Sequence, residues 1–503
     1  MIKQKLYNMK TTIQKLWISV AMLCLSLQVS ASDFEINGVL YTITSFTELT
    51  VIASGISGNV TGDVTIPSTV TFKGKELVVT DIDPCFAENN NKITSITIGD
   101  GVKEIGDEAF RNCSNLSRVT IPESVTRIER YAFYCCSKLE KVEALGVKTI
   151  GFRAFEACEN LTSCVFKSLE EIGEEAFAGC GIVSIDLPST VTTIGMGAFR
   201  QCNKLVSFNI PNNVKKIEED IIENCESLKE LTIGNGIDYL PPISQNCPKL
   251  EKVRIEDSEN SLIIQKGSEE YSSGIHGIKS IFSGCGLKEV YIGRNIKTVY
   301  YYSDFYTTPP FSGLGISKVV IGPYVTSIDM RCKSYNSTSY YGNGAFEDCK
   351  ELTEVIFQSS LIKEIPEEAF SGCKSLITID LGKDLEYIGY GSFFGCDQLS
   401  TINVHSPNPP SCKSGFSSQQ YINTIVNVPP GSLSLYQNTA PWNNFWNLKE
   451  DKRLDTGINN ASTTINAEEL TRYTINGKKI SAPSKGLNII RYNDGSVKKV
   501  VVQ

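Results

Sequence analysis

The sequence predicts a repeat solenoid, a stack of short coils built on parallel strands and turns and closed by β-structure at both ends. Three observations carry this expectation. An alanine–phenylalanine pair with a cysteine three positions after the ring recurs at Phe110, Phe133, Phe155, Phe177 and Phe199, at intervals of 23, 22, 22 and 22 residues. Between recurrences the apolar residues keep one order, as in Leu116-x-x-Val119-x-Ile121-Pro122. The period fails only before residue 83, after Cys396 and at two insertions.

Residues 1–31 read as an export signal. Lys3, Lys5, Lys10 and Lys15 form a basic start, Leu16 to Val29 is mostly apolar, and Val29-Ser30-Ala31 offers small residues for cleavage. No other stretch approaches the ~20 apolar residues of a membrane span, so no span is expected in the mature chain. Residues 32–82 alternate apolar and polar side chains, in "DFEINGVLYTITS" and "GDVTIPSTVTFKGKELVVTDI", which predicts an N-terminal β cap containing a hairpin.

The solenoid is expected over residues 83–405. Its register continues with Ile222 before Cys225, then Cys247, then Phe282 before Cys285, and resumes at Phe346, Phe370 and Phe393. Within one unit, Leu116 to Ile121 predicts a strand ended by Pro122, which cannot donate to a ladder. Val125-x-x-Ile128 predicts a second short extended segment, and the threefold spacing of Ala132-Phe133-x-x-Cys136-x-x-Leu139 predicts a helical turn. Insertions interrupt the period near 257–279 and 300–344, the second holding a degenerate repeat at Phe311. Residues 406–454 are expected to cap the last coil with Trp442, Phe445 and Trp446. A polar linker and a small β tail with Asn476-Gly477 and Asp494-Gly495 turns complete the chain over 455–503.

Eleven of the 17 cysteines share one slot: Cys113, Cys136, Cys158, Cys180, Cys202, Cys225, Cys247, Cys285, Cys349, Cys373 and Cys396. Stacked parallel side chains do not supply the dihedral a disulfide needs, and the C-x-x-C pairs of common zinc sites are missing. Cysteine is therefore expected here as a small, polarizable core residue. Cys85 is placed in the alanine slot and Cys164 in a strand core slot, whereas Cys135, Cys332 and Cys412 fall outside the pattern.

The segments "LSRVTIPESVTRIERYAF" and "LITIDLGKDLEYIGYGSFFGC" resemble the leucine-rich repeat of the BspA type found in bacterial surface proteins. The resemblance covers about residues 83 to 405. It implies a right-handed leucine-rich-repeat superhelix with a parallel sheet on its concave side, and a role in adherence to host extracellular proteins or to other bacteria. The tail resembles those of exported proteins of some anaerobic Gram-negative bacteria, which implies sorting or attachment at the cell surface.

A formal net charge of −8 argues against nucleic acid as a partner. With only His276 and His405 available, histidine catalysis and histidine metal sites have little material. No nucleophile elbow, phosphate loop or His-Glu-x-x-His motif occurs. His405 and Cys412 sit close in sequence but in a terminal cap, and paired acids such as Glu170-Glu171 and Glu174-Glu175 read as a solvated face. The expectation is a secreted or cell-surface protein, not an enzyme, without cofactor or metal, whose partner is a protein of the host or of a bacterial surface. Glycan or nutrient capture and a structural role in the envelope are the alternatives. The candidate ligand-binding residues are Tyr300, Tyr301, Tyr302, Phe305, Tyr306, Tyr335, Tyr340 and Tyr341, aromatic residues among small polar ones as in adaptable recognition loops. The outward strand positions of the concave sheet are the rival location.

Overall fold

The computed structural model describes residues 32–265, 281–282, 284–299, 309–333, 340–341, 344–456, 469–474, 479–480, 486–492 and 497–502. Most coils contribute one longer and one shorter strand, as in Lys141–Ala144 followed by Thr149–Ile150, whereas the coil that ends in Thr193–Ile194 has only the shorter one. The longer strand pairs in parallel with Ser163–Phe166 of the next coil, and the shorter with Arg127–Ile128 and Glu171–Ile172 on either side. The inward residues of this coil, Leu139, Val142, Ala144, Val147, Ile150, Ala154, Phe155 and Cys158, are all fully buried. No unit this small could bury them alone, so coil stacks on coil.

The Ala-Phe segment departs from the expected helical turn. The N–H groups of Tyr131, Phe133 and Cys135 donate to Phe152, Ala154 and Glu156 of the next coil, whereas those of Ala132, Tyr134 and Cys136 close tight turns on Glu129, Tyr131 and Phe133. Left-handed backbone at Tyr131 (φ 55°) and Cys135 (φ 57°) permits this alternation. The spacing of three therefore arises from successive turns that also serve as an inter-coil ladder, not from a helix.

Phenylalanine and cysteine occupy two columns of this ladder. Phe133, Phe155 and Phe177 stack with centroids 5.1 and 5.3 Å apart and ring planes within 4°. A second stack runs through Phe282, Phe311, Phe346, Phe370, Phe393 and Phe416. Phe311 thus belongs to a full coil, with its own strand Lys318–Ile321 paired on both sides. Each of the eleven slot cysteines donates its thiol to the backbone carbonyl of the phenylalanine-slot residue one coil earlier, at 3.0–3.3 Å. The Phe133 carbonyl, for example, accepts the Cys136 N–H from within its coil and the Cys158 thiol from the next. Cysteine is the core residue expected, with a donor role that composition alone does not reveal. At the last coil Gln420 replaces it and donates Nε2 to the Phe393 carbonyl at 2.9 Å. Cys85 does not take the alanine slot. It donates its N–H to Asp107 as Glu108 does to Arg130, and both have φ 58°, so it fills the left-handed turn position one residue earlier.

At the N-terminal end, antiparallel strands Val39–Ser45 and Thr50–Ile56 lead into Lys75–Ile82, which pairs with the first short strand of the solenoid. Gly62–Ile66 pairs in parallel with Ile93–Ile98 and opens the long-strand sheet. At the other end Trp442 is fully buried and donates its indole N–H to Pro410 at 2.7 Å, with Phe445 packed on it. Trp446, expected in this closure, is instead 76% exposed, because it follows the turn that points Phe445 inward. Among the described residues no helix is long and apolar enough to cross a membrane. The tail strands Glu469–Thr474, Lys479–Ile480, Gly486–Tyr492 and Val497–Val502 form a separate antiparallel sheet.

Candidate binding surface

The side chains of all eight candidate aromatic residues lie outside the described residues, and only the backbone of Tyr340 and Tyr341 falls within them, paired antiparallel with Lys333 and Cys332. What the structure does show is where the extra chain leaves the solenoid. Leu262–Gln265 is a regular short strand rather than insertion, paired between Tyr239–Leu240 and Ile296–Val299. Gln265 and Val299, the last residues before two of the undescribed segments, are register partners. The third such segment follows Cys332–Lys333, whose strand neighbours Ile296–Val299. The roots of all three segments therefore lie on one flank, in successive coils.

The long-strand sheet of the same coils carries a set of outward polar contacts. Arg254 and Tyr291 are register partners on adjacent strands, and the guanidinium lies 3.8 Å from the ring centroid, a contact of ~1 kcal/mol when partly exposed. Tyr291 donates its hydroxyl to Asp257 Oδ1 at 2.7 Å, while Arg254 Nε donates to Glu256 at 3.0 Å. Burial, and then the Asp257 hydrogen bond, push the Tyr291 hydroxyl well above the usual tyrosine range. Two glycines make room for the arrangement. A Cβ at Gly293 would come within 2.6 Å of Asp257, and one at Gly322 within 2.8 Å of the Tyr291 hydroxyl. Beside this cluster Lys252 stands between Glu230 and Glu289, at 3.9 and 3.7 Å. The patch is thus a fixed arginine–tyrosine pair bordered by charges that stay half exposed.

Directly behind it Arg294 is completely buried and donates to the carbonyls of Gly234 (2.9 Å), Ile237 (2.8 Å) and Asn235 (3.3 Å). Burial pulls its guanidinium down to about 10. Sequence reasoning missed it, since Ile292-Gly293-Arg294 looks like any corner with a surface cation. Only the neighbouring coil's corner carbonyls reveal the role.

Other sets of reactive side chains resolve into structural contacts. Cys85, Glu88 and Glu108 bring three potential donor atoms within 4.8 Å of one another, but Arg111 already bonds Glu108 at 2.7 Å and Glu88 at 3.4 Å. Burial, with help from both glutamates, pushes the Cys85 thiol up to about 11. His405 reaches Asp380 at 3.4 Å, while Cys412 sits on a strand paired with Tyr387–Ile388.

A family model for the BspA type leucine-rich repeat region matches residues 82–202, 170–309 and 316–423, in six copies. The chain belongs to the BspA-type leucine-rich-repeat family. Its solved relatives include a leucine-rich repeat protein from Bacteroides ovatus, 29% identical, covering 84% of this chain and 100% of that one with a TM-score of 0.45. A leucine-rich repeat protein of T. pallidum is 25% identical over 43% of this chain and 90% of its own, with a TM-score of 0.32. A leucine-rich cell surface protein from Faecalibacterium prausnitzii is 21% identical over 84% of this chain and 96% of its own, with a TM-score of 0.31. No curated protein matches the chain. As a BspA-type repeat protein it has the regular, parallel-stranded coils described above, and the Arg254–Tyr291 patch lies on two of them.

Proposed function

We propose that the protein is exported, acts at the cell surface or beyond it, and binds a partner protein through the solvent face of its long-strand sheet, centred on Arg254 and Tyr291. The observation that carries this is the Arg254–Tyr291 pair, held by Asp257 and Glu256 in the coils where the extra segments leave the solenoid. Arginine and tyrosine dominate protein–protein hot spots, and a preformed pair sacrifices little freedom on binding. The alternating Glu230, Lys252 and Glu289 suit a partner with a mixed charge pattern. A ring already covered by a guanidinium is a poor stacking platform for a sugar, which favours protein over glycan. The tyrosine-rich segments 300–306 and 335–341 are proposed to extend the contact from the neighbouring flank. Adhesion to host or bacterial surface proteins is the form of binding the family suggests, with the basic start and apolar run of residues 1–31 supporting export.

The test is a paired screen of the purified chain on glycan arrays and on panels of extracellular-matrix and bacterial surface proteins. For a protein ligand so found, Tyr291→Ala and Arg254→Ala should each weaken binding by ~10-fold or more, while Glu171→Ala on the short-strand flank should not. Excision of either tyrosine segment should weaken it less than Tyr291→Ala does. Binding to glycans alone, or full affinity in both point variants, would overturn the proposal.

A further inference from the structure

The long-strand sheet that carries Arg254 and Tyr291 has six strands, paired in parallel in the order Ser207–Ile210, Glu230–Ile233, Lys252–Ile255, Glu289–Ile292, Lys318–Ile321 and Glu354–Phe357. The first residues of these strands are register partners and form one outward column. From Glu230 onward its charges alternate at every rung, and Glu230, Lys252 and Glu289 stay half exposed. A second outward column, two positions further along each strand, puts Arg254 and Tyr291 on the two central strands. Read backwards, Glu230-Lys252-Glu289-Lys318 becomes Lys-Glu-Lys-Glu. A copy of the sheet turned end over end therefore presents the opposite charge at each of these rungs. The centre of that inversion falls between Lys252–Ile255 and Glu289–Ile292, which is also the centre of the six strands.

We infer, on the reading above that this face binds protein, that its partner is a second copy of this chain, docked sheet to sheet about a two-fold axis parallel to the strands and between the two central ones. Such an axis reverses the order of the coils and leaves the position along each strand unchanged, so each outward column meets itself. Lys252 then faces Glu289 of the second copy and Glu230 faces its Lys318, each contact occurring twice, as in any isologous interface. Arg254 meets Tyr291 of the second copy at the centre. The alternative of parallel coil order sets lysine on lysine and glutamate on glutamate, which like-charge repulsion disfavours. Side chains as long as lysine, glutamate, arginine and tyrosine bridge the gap that twist leaves between two such sheets. Six strands span only ~24 Å, the small end of specific interfaces, so the association is weak and concentration-dependent. Many copies displayed on facing surfaces would strengthen it through avidity.

Sedimentation velocity of the full chain, from about 1 μM to about 1 mM, should show a monomer–dimer equilibrium that weakens as salt rises. Zero-length carbodiimide coupling of the wild-type chain should yield a dimer with a Glu230–Lys318 cross-link. Within one chain these residues lie three strands apart, ~14 Å, too far for a direct amide bond, so the cross-link reports the second copy whether or not any variant folds. Lys252→Glu and Glu289→Lys should each weaken self-association about tenfold or more, by setting like charges face to face. An equimolar mixture of the two variants should restore it, because each altered charge then meets its opposite. A chain still monomeric at about 1 mM, a dimer without the cross-link, or variants that self-associate like the wild type would overturn the inference. In that event, binding of a different protein that Tyr291→Ala abolishes would leave the reading of the face itself intact.

Discussion

Replacing Phe177 by alanine tests the packing of the solenoid most directly. The ring is fully buried, lies 5.3 Å from both Phe155 and Phe199 with planes within 7°, and meets Phe166 at 6.0 Å. Large-to-small changes at such sites cost ~3–5 kcal/mol when the cavity cannot collapse. Collapse is hindered here because the Phe177 N–H is tied to Ala198 of the next coil at 2.8 Å. Loss of two parallel ring contacts, worth ~0.5–1.5 kcal/mol each, moves the expectation to the upper end, ~5 kcal/mol. Solenoids unfold in segments, so the assay is native-state hydrogen exchange alongside urea denaturation. Protection should fall in the coils from Phe155 to Phe199 and remain near Phe393. Phe46→Ala, at a residue 79% exposed, is the control and should change stability by less than ~0.5 kcal/mol. A loss below ~1.5 kcal/mol at Phe177, or one spread evenly over the chain, would refute the nearest-neighbour account of the core.

Two further outcomes follow from buried charge. Burial pushes Cys113, Cys349 and Cys396 up to about 12, and Cys136, Cys158 and Cys202 well above the usual range. Folded values above the unfolded ones mean that this stability is complete below ~pH 8.5 and is lost as pH rises toward 12, by ~1.4 kcal/mol per pH unit for each thiol. Alkylation by iodoacetamide should therefore reach these six only as the circular dichroism signal disappears, and alkylation near pH 9 with the fold intact would count against it. Arg294→Met should cost ~2–4 kcal/mol in urea denaturation, because it strands the Gly234 and Ile237 carbonyls; a neutral result would show that water replaces the guanidinium.

The repeat was legible in the sequence because its determinants are local and recur. Phe, Cys and Leu return to one register, and each must face inward for neighbouring coils to stack. The form of the Ala-Phe segment was not legible, since a spacing of three suits a helical turn and a run of tight turns equally. What decides between them is the hydrogen bond from Phe133 to Ala154, an inter-coil contact no single unit specifies. Cys85 was misplaced by one slot because Phe86-Ala87 inverts the usual Ala-Phe order, and the inversion is visible only in the ladder of Cys85 on Asp107. The binding patch was the least legible part. Arg254 and Tyr291 are 37 positions apart in the sequence and become neighbours only through the parallel pairing of Lys252–Ile255 with Glu289–Ile292.

In a repeat protein every regular coil predicts the next, so departures from the rule carry information that a departure in an irregular fold would not. Here they gather in one region. Ser244 takes a phenylalanine slot, Arg294 buries a cation among three carbonyls, Tyr291 packs its ring under Arg254, and the roots of three extra segments share one flank. Stability in the solenoid is set by repetition at Phe110 to Phe199 and at Phe346 to Phe416. The stretch between them is where the chain could diverge without unfolding, and partner choice is accordingly proposed to reside there.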